Sequence, residues 1–140
     1  MVGLVIATHG HLAREMLATA EQIVGKLTAC EAVEVEPGAS PEQIKAAMKA
    51  AIRRVDSGDG VIVFADLCGG TPCTQSLMLC DQHKLEVLTG VNLPMLIKAN
   101  SLRIEALPLP ELASTLTSYG QRNITCASAS LRGSDALHRS

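Results

Sequence analysis

Aromatic residues are almost absent from this 140-residue chain. Phe64 and Tyr119 are the only ones, and there is no tryptophan. The 12 lysines and arginines are outnumbered by 14 aspartates and glutamates, which gives a formal net charge of −2. Proteins that bind nucleic acid use a basic surface and, on single strands, aromatic side chains on which bases stack. Because this chain offers neither, we expect no nucleic-acid partner.

Long hydrophobic runs and a basic leader are missing as well. No apolar stretch reaches the roughly 20 residues that a membrane-spanning helix requires. The cysteines are odd in number and include no CxxC pair: Cys30, Cys68, Cys73, Cys80 and Cys126. Such a set fits free thiols in a reducing compartment better than a disulfide framework. We therefore expect a cytoplasmic protein that does not span the membrane.

Short apolar runs do occur, and they alternate with helical patterns. Four of them are predicted to be strands: Val2 to Thr8, Ala32 to Val35, residues 60–66 and Leu85 to Thr89. The first is nearly continuous in apolar character, as expected for a strand covered on both faces. A strand–helix rhythm of this kind predicts βαβ units. The predicted fold is therefore α/β, a doubly wound and mostly parallel four-stranded sheet with helices on both faces.

Two of the intervening helices carry clear boundary signals. Between Leu12 and Val24, apolar residues recur at spacings of three and four, and Gly25 is a stop signal. Ser40, Pro41 and Gln43 match the N-cap, the first helical position and the capping-box partner of the next helix.

Polar residues stand where the first and third predicted strands end. The first run leads into Thr8-His9-Gly10, and the third into "DLCGGTP", Asp66 to Pro72. In parallel sheets, ligands collect beyond the carboxyl ends of the strands, at the point where strand order reverses. If the first and third strands are neighbours, as in the flavodoxin-like order, His9 and Asp66 emerge side by side.

This pairing suits a nucleophilic histidine. A carboxylate that accepts from one imidazole nitrogen fixes the tautomer and leaves the lone pair of the other nitrogen free. Gly69 and Gly70 can take backbone angles closed to other residues, and Thr71 and Pro72 are predicted as N-cap and first residue of a third helix. Its free N–H groups and the Thr71 hydroxyl would bind an anion. The set predicts phosphoryl transfer through a phosphohistidine.

At these residues the chain resembles a known family. "VIATHGHLAREML", "VIVFADLCGGTPC" and "LTGVNLPML" are similar, in this order, to three signature stretches of the enzyme IIA component of the mannose-type phosphotransferase system, over roughly residues 1–120. That family accepts a phosphoryl group from the phosphocarrier HPr and passes it to a IIB component, which phosphorylates sugar during uptake. The resemblance implies His9 as phosphoacceptor and Asp66 as the carboxylate that holds its ring.

The resemblance also assigns neighbouring residues. Thr71 stands where the family has a serine or threonine that contacts the phosphoryl group, and Gly69 and Gly70 would supply flexible backbone. Thr8 and Gly10 would line the same crevice. The "GVNLPML" stretch would add two further lining residues, Asn92 and Leu93.

The family fold further implies a homodimer in which a C-terminal strand adds antiparallel to the partner's sheet. "NITCASA", residues 123–129, is the candidate strand. Residues 1–129 would then form a single IIA domain, followed by a polar tail at residues 130–140. No IIB domain follows in this sequence, so the IIB partner is expected on a separate chain.

Cys68 departs from the family pattern, because an aromatic residue often precedes the double glycine. A thiol near the helix start, such as that of Cys68 or Cys73, could be oxidisable, although small apolar fillers are the simpler interpretation of both residues. A metal site built from His9, His11 and these thiols is disfavoured for want of paired cysteine spacing, and we expect neither metal nor cofactor. His11 is interpreted as a solvated or docking side chain.

One alternative function stays open at this stage. The same residues would serve a regulatory module whose phosphorylated His9 reports the state of the phosphotransferase system without any transport.

Overall fold

The computed structural model describes residues 1–68 and 70–132 of the chain. Its strands are β1 (Gly3–His9), β2 (Cys30–Val35), β3 (Val61–Ala65) and β4 (Leu85–Leu88). Its helices are α1 (Leu12–Val24), α2 (Pro41–Val55), α3 (Thr71–Leu77), α4 (Leu93–Leu102) and α5 (Leu109–Arg122), with a 3-10 turn at Arg103–Glu105. Gly69 and residues 133–140 of the predicted tail lie outside the described residues.

The sheet confirms the predicted α/β architecture. Its four strands are ordered β2-β1-β3-β4 and all pair in parallel. β1 and β3 are therefore neighbours, and the strand order reverses between them. Along this central pair the register joins Gly3 to Val61 and Ala7 to Ala65, so the carboxyl ends of both strands reach the same edge of the sheet.

Alternate side chains of β1 and β3 point into two separate cores, one on each face. The core under α1, α4 and α5 receives Leu4, Ile6, Ile62 and Phe64. The core under α2 receives Val5, Ala7, Val61 and Val63. Burial on both faces explains why these strands are apolar at successive positions. Among the described residues, no helix combines the length and hydropathy needed to cross a bilayer.

The start of α2 has the capping box that its sequence predicts. The Gln43 N–H donates to Ser40 Oγ at 3.1 Å, and the Ser40 N–H donates to Gln43 Oε1 at 2.9 Å. Each residue thereby satisfies one backbone donor that the first helical turn leaves free.

Replacement of Ser40 by alanine is expected to lower the free energy of unfolding by about 1 kcal/mol, since it removes one capping acceptor. Urea denaturation followed by circular dichroism measures the loss. Ser114→Ala, at an exposed position within α5, is the matched control and should change stability by less than about 0.5 kcal/mol. Equal effects of the two substitutions would contradict the capping role.

Two sequence predictions about chain segments differ from the structure. α3 begins at Thr71 with Gly70 as its N-cap, so Pro72 is the second helical residue and not the first. The strand predicted for residues 123–129 is absent: Ile124 to Cys126 have no regular structure, and residues 127–132 are helical and exposed. A strand needs a neighbour to pair with, and within the described chain this segment lies on no sheet edge.

Candidate active site

His9 and Asp66 lie side by side at the carboxyl edge of the sheet. His9 is the last residue of β1, and Asp66 directly follows β3. Asp66 Oδ2 accepts from the His9 backbone N–H at 3.0 Å and contacts its ring Nδ1 at 2.8 Å. The other oxygen, Oδ1, accepts from the Leu67 N–H at 2.9 Å. Three donors from two residues thus hold one carboxylate.

This contact sets the tautomer of His9. A carboxylate only accepts hydrogen bonds, so Nδ1 carries the proton and the neutral ring keeps its lone pair on Nε2. The His9 side chain is 48% exposed, whereas that of Asp66 is only 12% exposed. The carboxylate therefore holds the ring at Nδ1, and about half of the side chain remains accessible to a reactant.

The carboxylate stays ionised in this setting. Desolvation by itself would raise the pKa of Asp66, but hydrogen bonds from the backbone and ring of His9, together with the Leu67 N–H, hold it below its ordinary value of 3.8. At neutral pH the His9 ring thus faces an ionised carboxylate.

Gly70 lies directly against the His9 ring. A Cβ atom at this position would stand 2.7 Å from His9 Cε1 and 3.0 Å from Leu67 Cδ1. The backbone of Gly70 is extended, with φ of −77° and ψ of 161°, which any residue can adopt. The prediction that this glycine is needed for unusual backbone angles is therefore wrong for Gly70. Close approach of the imidazole is what excludes a side chain.

Replacement of Gly70 by alanine is expected to displace the His9 ring and slow phosphoryl transfer by about 10²-fold, because misplacement of a reacting group by about 1 Å costs that much. Single-turnover transfer measures the rate, and the histidine side-chain NMR signals report the ring position.

Gly25→Ala provides the matched control for this substitution. Gly25 follows α1, has φ of +85° and would place its Cβ in open space. The alanine there is strained, by about 1–2 kcal/mol, but far from His9. The control is expected to lower stability and leave the transfer rate unchanged; a comparable slowing would show that Gly70→Ala acts through stability alone.

Thr8 and Gly10 shape the turn that follows β1. The buried Thr8 hydroxyl accepts from the Ala13 N–H at 2.7 Å and donates to the His9 carbonyl at 3.1 Å. Gly10 has φ of +58°, a left-handed conformation that favours glycine. These contacts tie β1 to α1 on either side of His9. Their predicted role in lining a crevice stays a prediction.

The remaining residues predicted at the site lie at the starts of two helices, α4 and α3. Asn92 is the N-cap of α4: its Oδ1 accepts from the Met95 N–H at 3.1 Å, and its Nδ2 donates to the Gly120 carbonyl at 3.0 Å. Both ends of its amide are thus occupied in joining α4 to α5. Leu93 is the first residue of α4, and Thr71, half-buried, is the first of α3.

A second imidazole–carboxylate pair lies at the same sheet edge. His11 Nδ1 contacts Glu34 Oε2, and Arg14 Nη1 lies 3.6 Å from the other Glu34 oxygen. The His11 side chain is 64% exposed. No sequence motif predicts a role for Glu34 at this edge. The register of β1 with β2, which opposes Thr8 to Glu34, is the feature that brings it there.

The thiols near the site give no sign of metal binding. Cys68 is exposed, whereas Cys73 is buried within α3. Across residues 1–68 and 70–132, no three histidine, cysteine or acidic side chains are grouped as metal ligands would be.

Comparison with known proteins identifies the family to which this chain belongs. A family model described as the PTS system fructose IIA component matches residues 3–116. The chain belongs to the mannose-type enzyme IIA family. Family membership supports a phosphocarrier role in a sugar phosphotransferase system and confirms the resemblance found in the sequence motifs.

Several relatives of this IIA chain have been described. It is 31% identical over 126 residues to the putative phosphotransferase enzyme IIA component YadI of Escherichia coli, covering 89% of this chain and 86% of that protein. It is 29% identical over 129 residues to the mannose-specific EIIAB component of the same organism. That alignment covers 91% of this chain but only 40% of the EIIAB protein, so the chain spans less than half of that relative's length.

Solved structures agree with the fold of this IIA chain. The mannose/sorbose-specific IIA subunit from Enterococcus faecalis aligns with a TM-score of 0.81 at 32% identity, covering 89% of this chain and 93% of that one. The phosphotransferase component EIIA from Streptococcus agalactiae aligns with a TM-score of 0.85 at 25% identity, covering 92% and 99%.

Proposed function

We propose that Nε2 of His9 accepts a phosphoryl group from phospho-HPr and passes it to a IIB component, for sugar uptake and phosphorylation. The observation that carries this proposal is the hydrogen bond from His9 Nδ1 to Asp66 at 2.8 Å. It leaves a free lone pair on the exposed nitrogen of the ring. The protein would work in the cytoplasm, with residues 1–129 forming the IIA domain.

The proposed transfer is a displacement at phosphorus. The His9 Nε2 lone pair forms the new N–P bond, and the bond between phosphorus and HPr breaks with its electron pair leaving on HPr. His9 keeps its Nδ1 proton throughout, so its ring becomes cationic. Asp66, ionised and bound to that N–H, stabilises the new positive charge. Transfer to IIB reverses these steps.

The loop after β3 would hold the phosphoryl oxygens. Gly70 lies against the ring, and the Thr71 hydroxyl and the backbone N–H groups of Gly69 and Gly70 are the donors that we assign to these oxygens. Such donors stabilise charge where it develops in transfer. Thr8, Gly10 and Asn92 would complete the edge by fixing the turns around it.

Reconstituted phosphorylation tests the proposal. The full chain is incubated with phosphoenolpyruvate, enzyme I and HPr, and intact mass spectrometry counts the phosphoryl groups. We expect one acid-labile group per chain, which a IIB component then removes. Absence of labelling, or an acid-stable group, would contradict a phosphohistidine. Labelling that no IIB component discharges would instead favour the regulatory alternative.

We also propose that the protein is a homodimer, as its family resemblance implies. The described segment after α5 is exposed and apolar in part: Ile124 is 75% and Leu131 83% exposed. In such a dimer, residues 123–129 would leave the conformation described above, in which the helix at residues 127–132 begins, and would pair as a strand with the partner's sheet. Light scattering after gel filtration is expected to give twice the chain mass of 14.7 kDa; a mass of one chain would contradict the dimer.

A further inference from the structure

A cavity of about 480 Å³ lies at the amino edge of the sheet, away from His9. It is bounded by the start of β1, the residue before β4 and the segment that leads into α5. Its walls are largely apolar and include Val2, Ile104, Leu107, Leu109 and Leu112. The length of β1, seven residues at about 3.3 Å each, separates this edge from His9 by about 20 Å.

Arg103 lines this cavity and is buried, with 4% of its surface exposed. Its Nη1 donates to the carbonyls of Val2 at 3.0 Å and Ala29 at 3.4 Å. Its Nε has no hydrogen-bond partner, and within residues 1–68 and 70–132 no carboxylate forms an ion pair with it. A buried guanidinium with only carbonyl acceptors carries an uncompensated charge.

The thiol of Cys30, which interacts electrostatically with Arg103, does not supply the missing charge. Desolvation by burial raises the pKa of Cys30 to about 12, so its sulfur stays protonated at neutral pH. Desolvation likewise lowers the pKa of Arg103, which shows that its environment disfavours the cation.

The remaining charged groups make the cavity cationic overall. Lys84, the Met1 ammonium and Asp59 also line it. Asp59 forms an ion pair with the Met1 ammonium, so these two charges compensate each other. Asp59 is also attracted by Lys84, so this one carboxylate faces two cations, whereas Arg103 has no carboxylate partner among the described residues.

We propose that this cavity binds a small amphipathic carboxylate. Its head group would meet Arg103 and Lys84, because the planar guanidinium edge matches a carboxylate. Its apolar body would lie against Val2, Leu109 and Leu112. The site is separate from the phosphoryl chemistry of His9 and does not depend on it.

Octanoate is the probe that tests this site, with 1-octanol as the uncharged molecule of equal chain length. Each is titrated into the full chain and followed by calorimetry and backbone NMR. We expect saturable binding of one octanoate per chain, with shifts confined to the cavity residues, and binding of octanol at least about tenfold weaker.

Two lysine variants sharpen the result. Lys84→Met keeps the apolar stem and removes the charge, and it is expected to weaken octanoate binding by about tenfold. Lys26→Met makes the same change at an exposed position outside the cavity and should leave binding unchanged. Arg103→Gln is expected to abolish binding, provided that circular dichroism shows the variant folded.

Any of three results would overturn the proposal. They are equal affinities for octanoate and octanol, equal losses in the two lysine variants, and no saturable binding at millimolar octanoate. Since phosphorylation of His9 is measured separately, failure here leaves the proposed phosphocarrier function untouched.

Discussion

Replacement of His9 by glutamine is expected to abolish phosphorylation of the chain while leaving its fold intact. Glutamine has no nucleophilic ring nitrogen, so no N–P bond can form there. The substitution changes a side chain that is 48% exposed, and the backbone N–H that binds Asp66 remains. Intact mass after incubation with phosphoenolpyruvate, enzyme I and HPr should show no added phosphoryl group, against one in the unsubstituted protein.

His11→Gln is a closely matched control for this experiment. His11 lies at the same edge of the sheet and also has Nδ1 against a carboxylate, that of Glu34. It differs in that none of the described glycines packs against its ring, whereas Gly70 lies against His9. We expect full labelling of this variant. Loss of labelling in His11→Gln, or persistence of labelling in His9→Gln, would contradict the assignment of His9 as the phosphoacceptor.

Replacement of Asp66 by asparagine is expected to slow phosphoryl transfer by about 10²–10⁴-fold, the usual range for a group that sets protonation in a transfer step. Every described partner of the carboxylate is a donor: the N–H and Nδ1 of His9 and the N–H of Leu67. An amide has one oxygen, so in either orientation its NH₂ group would face a donor. The variant also loses the negative charge that stabilises the cationic ring. Rapid-quench transfer from phospho-HPr measures the rate.

Glu34→Gln is the corresponding control, since it neutralises the carboxylate beside His11 instead. Its transfer rate should equal that of the unsubstituted protein. If Asp66→Asn also transfers the phosphoryl group at the rate of the unsubstituted protein, then Asp66 has no role in the mechanism.

The stability contributed by Asp66 should depend on pH in a defined direction. Its pKa in the folded chain is held below the ordinary value of 3.8, so the carboxylate stabilises the fold above that pH. This contribution is lost as the pH falls through the lower folded value. The stability difference between the unsubstituted protein and Asp66→Asn should therefore be constant near neutrality and shrink under acid conditions, as urea denaturation would show.

The parallel sheet and the polar ends of β1 and β3 could be predicted because they follow from local patterns, whereas the adjacency of these two strands entered only as a condition. Buried runs such as Val61–Ala65 stop where polar residues begin, and parallel strands bring their carboxyl ends to one edge. The start of α2 could be predicted for the same reason, because Ser40 and Gln43 lie within one turn and each accepts a hydrogen bond from the backbone N–H of the other.

Other features depend on contacts between distant segments and could not be predicted. The need for glycine at position 70 arises from a ring that lies 61 residues earlier in the chain. The burial of Arg103 depends on α4 ending beneath the amino end of β1, where Val2 offers its carbonyl. The strand expected at residues 123–129 came from the family resemblance and not from a local pattern, and within the described chain no strand pairs with this segment.

A single oxygen of Asp66 binds both the backbone N–H and the ring of His9. This double contact has a consequence for the rate of the proposed phosphoryl transfer from HPr to His9. The imidazole is locked to its own backbone before any partner arrives, so an encounter requires no conformational search by the acceptor. Most of the reorganisation needed for phosphoryl transfer must then occur in phospho-HPr and not in His9. We therefore expect the exchange to be limited by collision frequency, and so to slow with solvent viscosity.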